Sequence, residues 1–272
     1  MNPKIFWGVL LVIPFALFIL FCPVIPFAIV CAIASALAIR EFFFLTMPGA
    51  PGWRWMIAAC LGMVIVMMPA VGLPILAPTI LGASLAVFAA IFMFTESDNR
   101  KALDATVFSF AGLSYGALLA SFLPLLRDAQ AVTRTNWVFL LFLAVWMNDA
   151  GAFFVGRKYG KRKLLERVSP AKTIEGSIGG LVAGVLGVFI FNLFAKTMTG
   201  WECLVLGLIL GVTGPVGDLV ESMIKRAVGV KDSGVFIPGH GGVLDRIDSI
   251  IFAAPFLYLF VYLRFLHSAV VR

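Results

Sequence analysis

The polar residues of Gly214-Pro-Val-Gly-Asp218-Leu-Val-Glu221-Ser222-Met-Ile-Lys225-Arg226 fall at intervals that chemistry can use. Asp218, Glu221, Ser222 and Lys225 are spaced i, i+3, i+4 and i+7, so a helix gathers them into one polar stripe on an otherwise apolar surface. Lys231-Asp232-Ser-Gly follows, then Pro238-Gly-His240-Gly-Gly, then Asp245-Arg-Ile-Asp248 at the head of the last apolar run. Glycines let a backbone approach a ligand closely, and free amides at a helix start favour phosphate. Asp245 and Asp248 share a helical face, a spacing suited to a hard cation bridging phosphate oxygens. The plainer alternative has Asp245 capping the helix and Asp248 serving the first-turn dipole. His240 stands between glycines with no second histidine nearby, which suits loop positioning or hydrogen bonding better than metal ligation.

A second polar group lies upstream, in Asn148-Asp149 and in Ser169-Pro170-Ala-Lys172-Thr173-Ile-Glu175-Gly176. Ser169 before Pro170 predicts an N-cap with proline at the first helical position. Lys172 would then sit in the first turn, where a cation opposes the helix dipole and calls for an anionic neighbour such as a triphosphate. Asn148 and Asp149 read either as site residues or as a hydrogen-bonding pair between helices. Pro215 and Gly217 are expected to bend or loosen the helix ahead of the stripe.

The elements that must position these groups are membrane spans. Of 272 residues, 61% are hydrophobic and 13% charged, with mean hydropathy +1.04. A soluble fold is excluded. A hydrocarbon slab about 30 Å thick needs about 20 apolar residues per helix. Apolar runs bounded by charges, prolines or glycines predict spans near 5–22, 24–39, 55–72, 73–94, 105–126, 137–156, 174–195, 201–220 and 249–267. The expectation is an all-α polytopic integral membrane protein of about nine transmembrane helices. Residues 1–136 form its nearly pure apolar part, and 137–272 carry the polar groups. Lys4 ahead of an apolar run resembles a secretory signal, but the run continues to Ile39 without a cleavage region and reads as retained spans.

Ionisable groups at membrane depth are costly unless paired or lining a cavity, so the stripe is a site by default; the alternative is a helix end emerging into water. In the nine-span arrangement, sixteen of the 21 lysines and arginines lie on one side and five on the other. The positive-inside rule puts the richer side, with the N-terminus and both polar loops, in the cytoplasm and the C-terminus outside. The net charge of +7 is dispersed between apolar runs, so it suits orientation and an anionic substrate, and no nucleic acid is expected. Cys22, Cys31, Cys60 and Cys203 lack metal-ligand spacing and read as lipid-facing or packing residues.

The run from Ser222 to Asp248 resembles the signature of phosphatidate cytidylyltransferases across some 27 positions. Asn148-Asp149-Ala-Gly-Ala is similar to that family's N-D-x-x-A stretch, and Ser169 to Gly176 to its S-P-x-K-T-x-E-G stretch. The family commonly carries a hydroxyl residue where this chain has Ala150. The resemblance covers roughly the C-terminal half. It implies transfer of CMP from CTP to phosphatidic acid at the inner membrane, giving CDP-diacylglycerol and pyrophosphate. It further implies Mg²⁺, with or without a second cation, held by Asp218, Asp245 and Asp248, with Lys225 also catalytic. Substrate contacts would come from Lys172, Arg226, Lys231, Asp232, Ser222, Asn148, Asp149, Ser169 and His240. Membrane lipid and a second copy in a homodimer are the implied partners.

Two rivals stand beside this reading. A CTP-dependent kinase acting on a polyprenol or phytol shares topology and substrates, but the Lys231-to-Asp248 signature argues against it. A lipid transporter would also have many spans and buried charges, although those should cluster at the midplane of broken helices.

Overall fold

In lipid a backbone amide has no water to bond, so long apolar runs close their hydrogen bonds within helices. The computed structural model describes residues 14–234 and 241–270, apart from the side chains of 132 and 265–270. Residues 14–21 form α1. There follow α2 (Val24–Thr46), α3 (Gly52–Ala70), α4 (Leu76–Thr95) and α5 (Asn99–Leu113), which runs through a π-helical turn at Ser114–Leu118 into α6 (Leu119–Thr133). The remaining helices are α7 (Trp137–Tyr159), α8 (Ile174–Ala195), α9 (Gly200–Ala227) and α10 (Leu244–Val270).

Among the described residues, 8 helical stretches are long and apolar enough to cross a membrane, α5 and α6 counting as one. They coincide with eight of the predicted spans, and the first half of the ninth, 5–22, lies outside the described residues while α1 occupies the rest. Large side chains such as Phe94, Phe194 and Trp201 stand on the outer surface, where lipid replaces water as solvent. The chain is an all-α polytopic membrane protein.

Successive spans alternate in direction, which brings one set of helix ends together. The C-terminal ends of α2, α4, α7 and α9 meet the N-terminal ends of α3, α5, α8 and α10. Contacts across this face include Arg54 with Glu96, Lys172 with Asp218, and Arg226 Nε donating to the Val168 carbonyl at 3.4 Å. On the opposite face, Arg127 donates to the carbonyls of Ile19, Leu20 and Cys22 at the end of α1, and Arg264 pairs with Glu202 at 2.6 Å.

One local expectation is corrected. Ser169 does not cap a helix: Ser169–Thr173 is a strand, β2, antiparallel to β1 (Lys163–Leu165). Sterics before Pro170 push Ser169 out of the α region and into extended backbone. Helix α8 starts at Ile174, where Thr173 Oγ1 accepts from the Gly176 amide at 3.1 Å as the N-cap. Lys172 therefore lies in the strand ahead of the helix. Glu175 ties this hairpin down by accepting from the amides of Lys161 (3.0 Å) and Arg162 (3.2 Å).

Helices α7 and α8 approach unusually closely because α8 turns Gly176, Gly180, Gly184 and Gly187 inward. A Cβ on Gly180 would stand 2.8 Å from the Asn148 carbonyl oxygen and 2.9 Å from its side-chain oxygen. This close seam sets Asn148 against α9, where its Nδ2 donates to the Gly211 carbonyl at 3.0 Å.

Candidate active site

Helix α9 continues through Pro215 as one 28-residue helix and delivers Asp218, Glu221, Ser222 and Lys225 along one face. Proline supplies no amide hydrogen, so the carbonyl four residues earlier, on Gly211, loses its helical donor. Asn148 Nδ2 takes that place at 3.0 Å, from a side chain only 1% exposed.

Asp218 and Glu221 meet Asp248 from the first turns of α10. One oxygen of each carboxylate lies within 4.8 Å of the others, Glu221 and Asp248 being buried. Glu221 Oε2 accepts from Lys225 Nζ at 3.0 Å, whereas its Oε1 is buried with no hydrogen-bond partner among the described residues. Three converging carboxylates, one of them on a residue with an unsatisfied buried oxygen, fit Mg²⁺, the cation implied by the resemblance.

Asp245, one turn before Asp248, is held differently. Its Oδ1 faces Lys225 Nζ at 2.5 Å. Its Oδ2 accepts from the Ser233 amide (3.1 Å), the Ser233 hydroxyl (2.9 Å) and the Gly242 amide (2.8 Å). Lys225 thus spans two carboxylates, Glu221 and Asp245, and is 8% exposed. A charge so placed needs both partners.

Lys172 reaches across from β2 to Asp218 at 2.6 Å, and the Ser222 hydroxyl donates to the other Asp218 oxygen at 3.3 Å. Two cavities meet at Asp149 and Asp218. One, of about 750 Å³, is lined by Asp149, Asp218, Glu221, Lys225, Lys231, Asp232, Asp245, Arg246 and Asp248 among others. The other, of about 440 Å³, runs between α7, β2 and α8 past Ala152, Phe153 and Pro215, with Asn148, Arg157 and Lys172 on its walls.

The structure thus brings together most of the residues singled out in the sequence. Asp218, Asp245, Asp248, Lys225, Lys231, Asp232 and Asp149 share the larger cavity, and Lys172 and Asn148 line the smaller one. Of the three expected metal ligands, Asp218 and Asp248 converge, joined by Glu221, while Asp245 faces Lys225. Arg226 turns toward the hairpin, donating to the carbonyls of Val168 and Val230, and Ser169 lies in β2. His240 lies outside the described residues.

A model of the cytidylyltransferase family matches residues 3–264. The chain belongs to the cytidylyltransferase family. Within it, the chain is 34% identical over 270 residues to the phosphatidate cytidylyltransferase of Bacillus subtilis, covering 95% of this chain and 96% of that relative. It is 34% identical over 228 residues to the protein of that name from Staphylococcus saprophyticus, covering 83% and 84%. It is 43% identical over 171 residues to the one from Brucella suis; that match spans 63% of this chain and 61% of the relative's length.

Sequence reasoning missed one participant in this cytidylyltransferase-family site. Glu41, near the end of α2, accepts from the amides of Val243 (2.9 Å) and Leu244 (2.8 Å) and from the Ser233 hydroxyl (3.1 Å). The only signal was a lone acid beside Arg40 near the end of an apolar run, which reads as a helix end reaching water.

Proposed function

We propose that the chain is a phosphatidate cytidylyltransferase, transferring CMP from CTP to phosphatidic acid and releasing pyrophosphate. One observation carries the reading: a carboxylate cluster with an unsatisfied buried oxygen, beside buried and half-buried lysines, lines a 750 Å³ cavity at one set of span ends. The names of the curated relatives agree with it.

In this reading a phosphate oxygen of phosphatidic acid attacks the α-phosphorus of CTP, and the bond to the β-phosphate breaks. Both reactants are anions, so positioning and charge neutralisation do most of the work. Lys172 lines the smaller cavity and pairs with Asp218, which lines both, so its ammonium can serve a lipid phosphate beside the nucleotide. Phe153 and Ala152 give the smaller cavity an apolar wall suited to a lipid. Lys231 and Arg246 bring positive charge to the larger one. Asp218, Glu221 and Asp248 would hold Mg²⁺, which when bound neutralises phosphate charge. Lys225 keeps Glu221 and Asp245 in fixed orientation rather than roaming to substrate. The charge asymmetry supports a cytoplasmic face for the site, in the inner membrane, and the family suggests a homodimer.

The test follows the phosphorus atoms. Purified protein in detergent, supplied with phosphatidic acid, Mg²⁺ and CTP labelled on the α-phosphorus, should place label in the lipid extract; γ-labelled CTP should place none. Recovery of γ-label in lipid with free CDP means a lipid kinase. Absence of nucleotide turnover under any divalent cation overturns the transferase reading and reopens that of a lipid transporter.

A further inference from the structure

Glu41 is 6% exposed, sits on a helix from the other half of the chain, and touches no residue of the carboxylate cluster directly. A buried carboxylate is expensive unless its oxygens are occupied, and among the described residues they are occupied by Ser233, Val243 and Leu244. Oε1 takes the Val243 amide; Oε2 takes the Leu244 amide and the Ser233 hydroxyl. Val243 and Leu244 stand at the start of α10, a 27-residue helix whose free amides and dipole favour an anion at that end. The anion is supplied by a different helix. Gly242 fits against it because it has no side chain: a Cβ there would stand 2.4 Å from Glu41 Oε2.

The contacts continue inward. The single proton of the Ser233 hydroxyl is shared between Glu41 Oε2 at 3.1 Å and Asp245 Oδ2 at 2.9 Å, while the Ser233 amide also donates to Asp245. Asp245 then holds Lys225, and Lys225 holds Glu221, which belongs to the cluster. From Glu41 to Glu221 the network is unbroken, and it also fixes the first turns of α10, which carry Asp248.

We infer that Glu41 is a positioning residue for the transfer reaction, acting through Ser233 and the start of α10 to set Asp245, Lys225 and the Asp218–Glu221–Asp248 cluster. This rests on the transferase reading above. It assigns to the apolar N-terminal half a specific part in the chemistry beyond packing.

Glu41→Gln keeps the volume but turns an NH₂ group toward amide donors, so at least one of the three contacts is lost. Turnover per folded molecule should fall about tenfold or more, with KM for CTP and for phosphatidic acid each within about threefold of the parent. Amide hydrogen exchange across 241–248 should speed up without any change in the thermal midpoint comparable to a core lesion. Ser233→Ala should lower turnover in the same direction. The double variant should fall by less than the product of the two single losses, because both act through one network. An exchange rate and turnover equal to the parent's in Glu41→Gln overturn the inference, as do losses that simply multiply. Should Glu41→Gln fail to fold, normal turnover in Ser233→Ala overturns it instead. If the parent itself transfers no CMP, the transferase reading has failed, and the hydrogen-exchange comparison still decides whether Glu41 orders the start of α10.

Discussion

Asn148 of α7 donates its side-chain amide to the Gly211 carbonyl of α9 at 3.0 Å, the carbonyl that Pro215 leaves without a helical donor. In a bilayer such a carbonyl has no water to turn to, so the pair makes a proline tolerable one turn ahead of the carboxylate cluster. The consequence is a coupling between two residues distant in sequence. Asn148→Ala should lower stability by about 1 kcal/mol. In a Pro215→Ala background, where residue 215 regains its amide hydrogen, the same substitution should cost less. Thermal midpoints of the four proteins in one detergent check this, and an equal loss in both backgrounds contradicts it.

The spans were legible because lipid imposes a simple rule: about twenty apolar residues, bounded by charge, become a helix. The stripe Asp218, Glu221, Ser222 and Lys225 was legible because helical periodicity fixes which residues share a face. Periodicity says nothing about which helices meet. Glu41 therefore stayed hidden, as did the turning of Asp245 toward Lys225, since both depend on α2, α9 and α10 ending at one place. The strand at Ser169 was misread because serine followed by proline suits a helix start and an extended segment alike; the partner strand at Lys163–Leu165 decides.

Lys172 and Asp218 form an ion pair whose side chains are 25% and 38% exposed. A pair that open is worth about 1 kcal/mol or less to stability. If Lys172 serves the reacting phosphates, Lys172→Met should leave the thermal midpoint nearly unchanged while kcat/KM for CTP falls by roughly ten- to a hundredfold. A large drop in the midpoint with turnover per folded molecule retained would make the residue a strut between β2 and α9.

Orientation is open to a direct measurement. The exposed hairpin that opens at Lys161 shares a face with the carboxylate cluster, as the contact of Arg226 with Val168 shows. With sixteen of 21 basic residues predicted on that side, it should be cytoplasmic. Lys161→Cys, in a background with Cys22, Cys31, Cys60 and Cys203 replaced, should react with an impermeant thiol reagent in inverted vesicles and not in intact cells. Labelling from outside reverses the arrangement and removes the site from cytoplasmic CTP.

Asp248 separates a metal-holding cluster from a helix that merely prefers acids at its start. It is 7% exposed, lies with Asp218 and Glu221, and accepts from its neighbour Ser249 amide at 2.6 Å. Asp248→Asn keeps shape and volume but removes an anionic ligand. A ligand that binds only the folded state stabilises it by about 2.7 kcal/mol at a hundredfold excess over its Kd. Mg²⁺ should therefore raise the thermal midpoint of the parent protein and leave that of Asp248→Asn almost unmoved, with turnover lost in the variant. Glu221→Gln should behave likewise, since Glu221 belongs to the same cluster and its Oε1 is buried with no partner among the described residues. The dipole alternative predicts a different pattern: a loss of about 1 kcal/mol without Mg²⁺, near-normal turnover, and a Mg²⁺ response equal to the parent's. Midpoints with and without Mg²⁺, taken on the preparations used for turnover, distinguish the two, because only metal binding ties the loss of activity to the loss of the Mg²⁺ response.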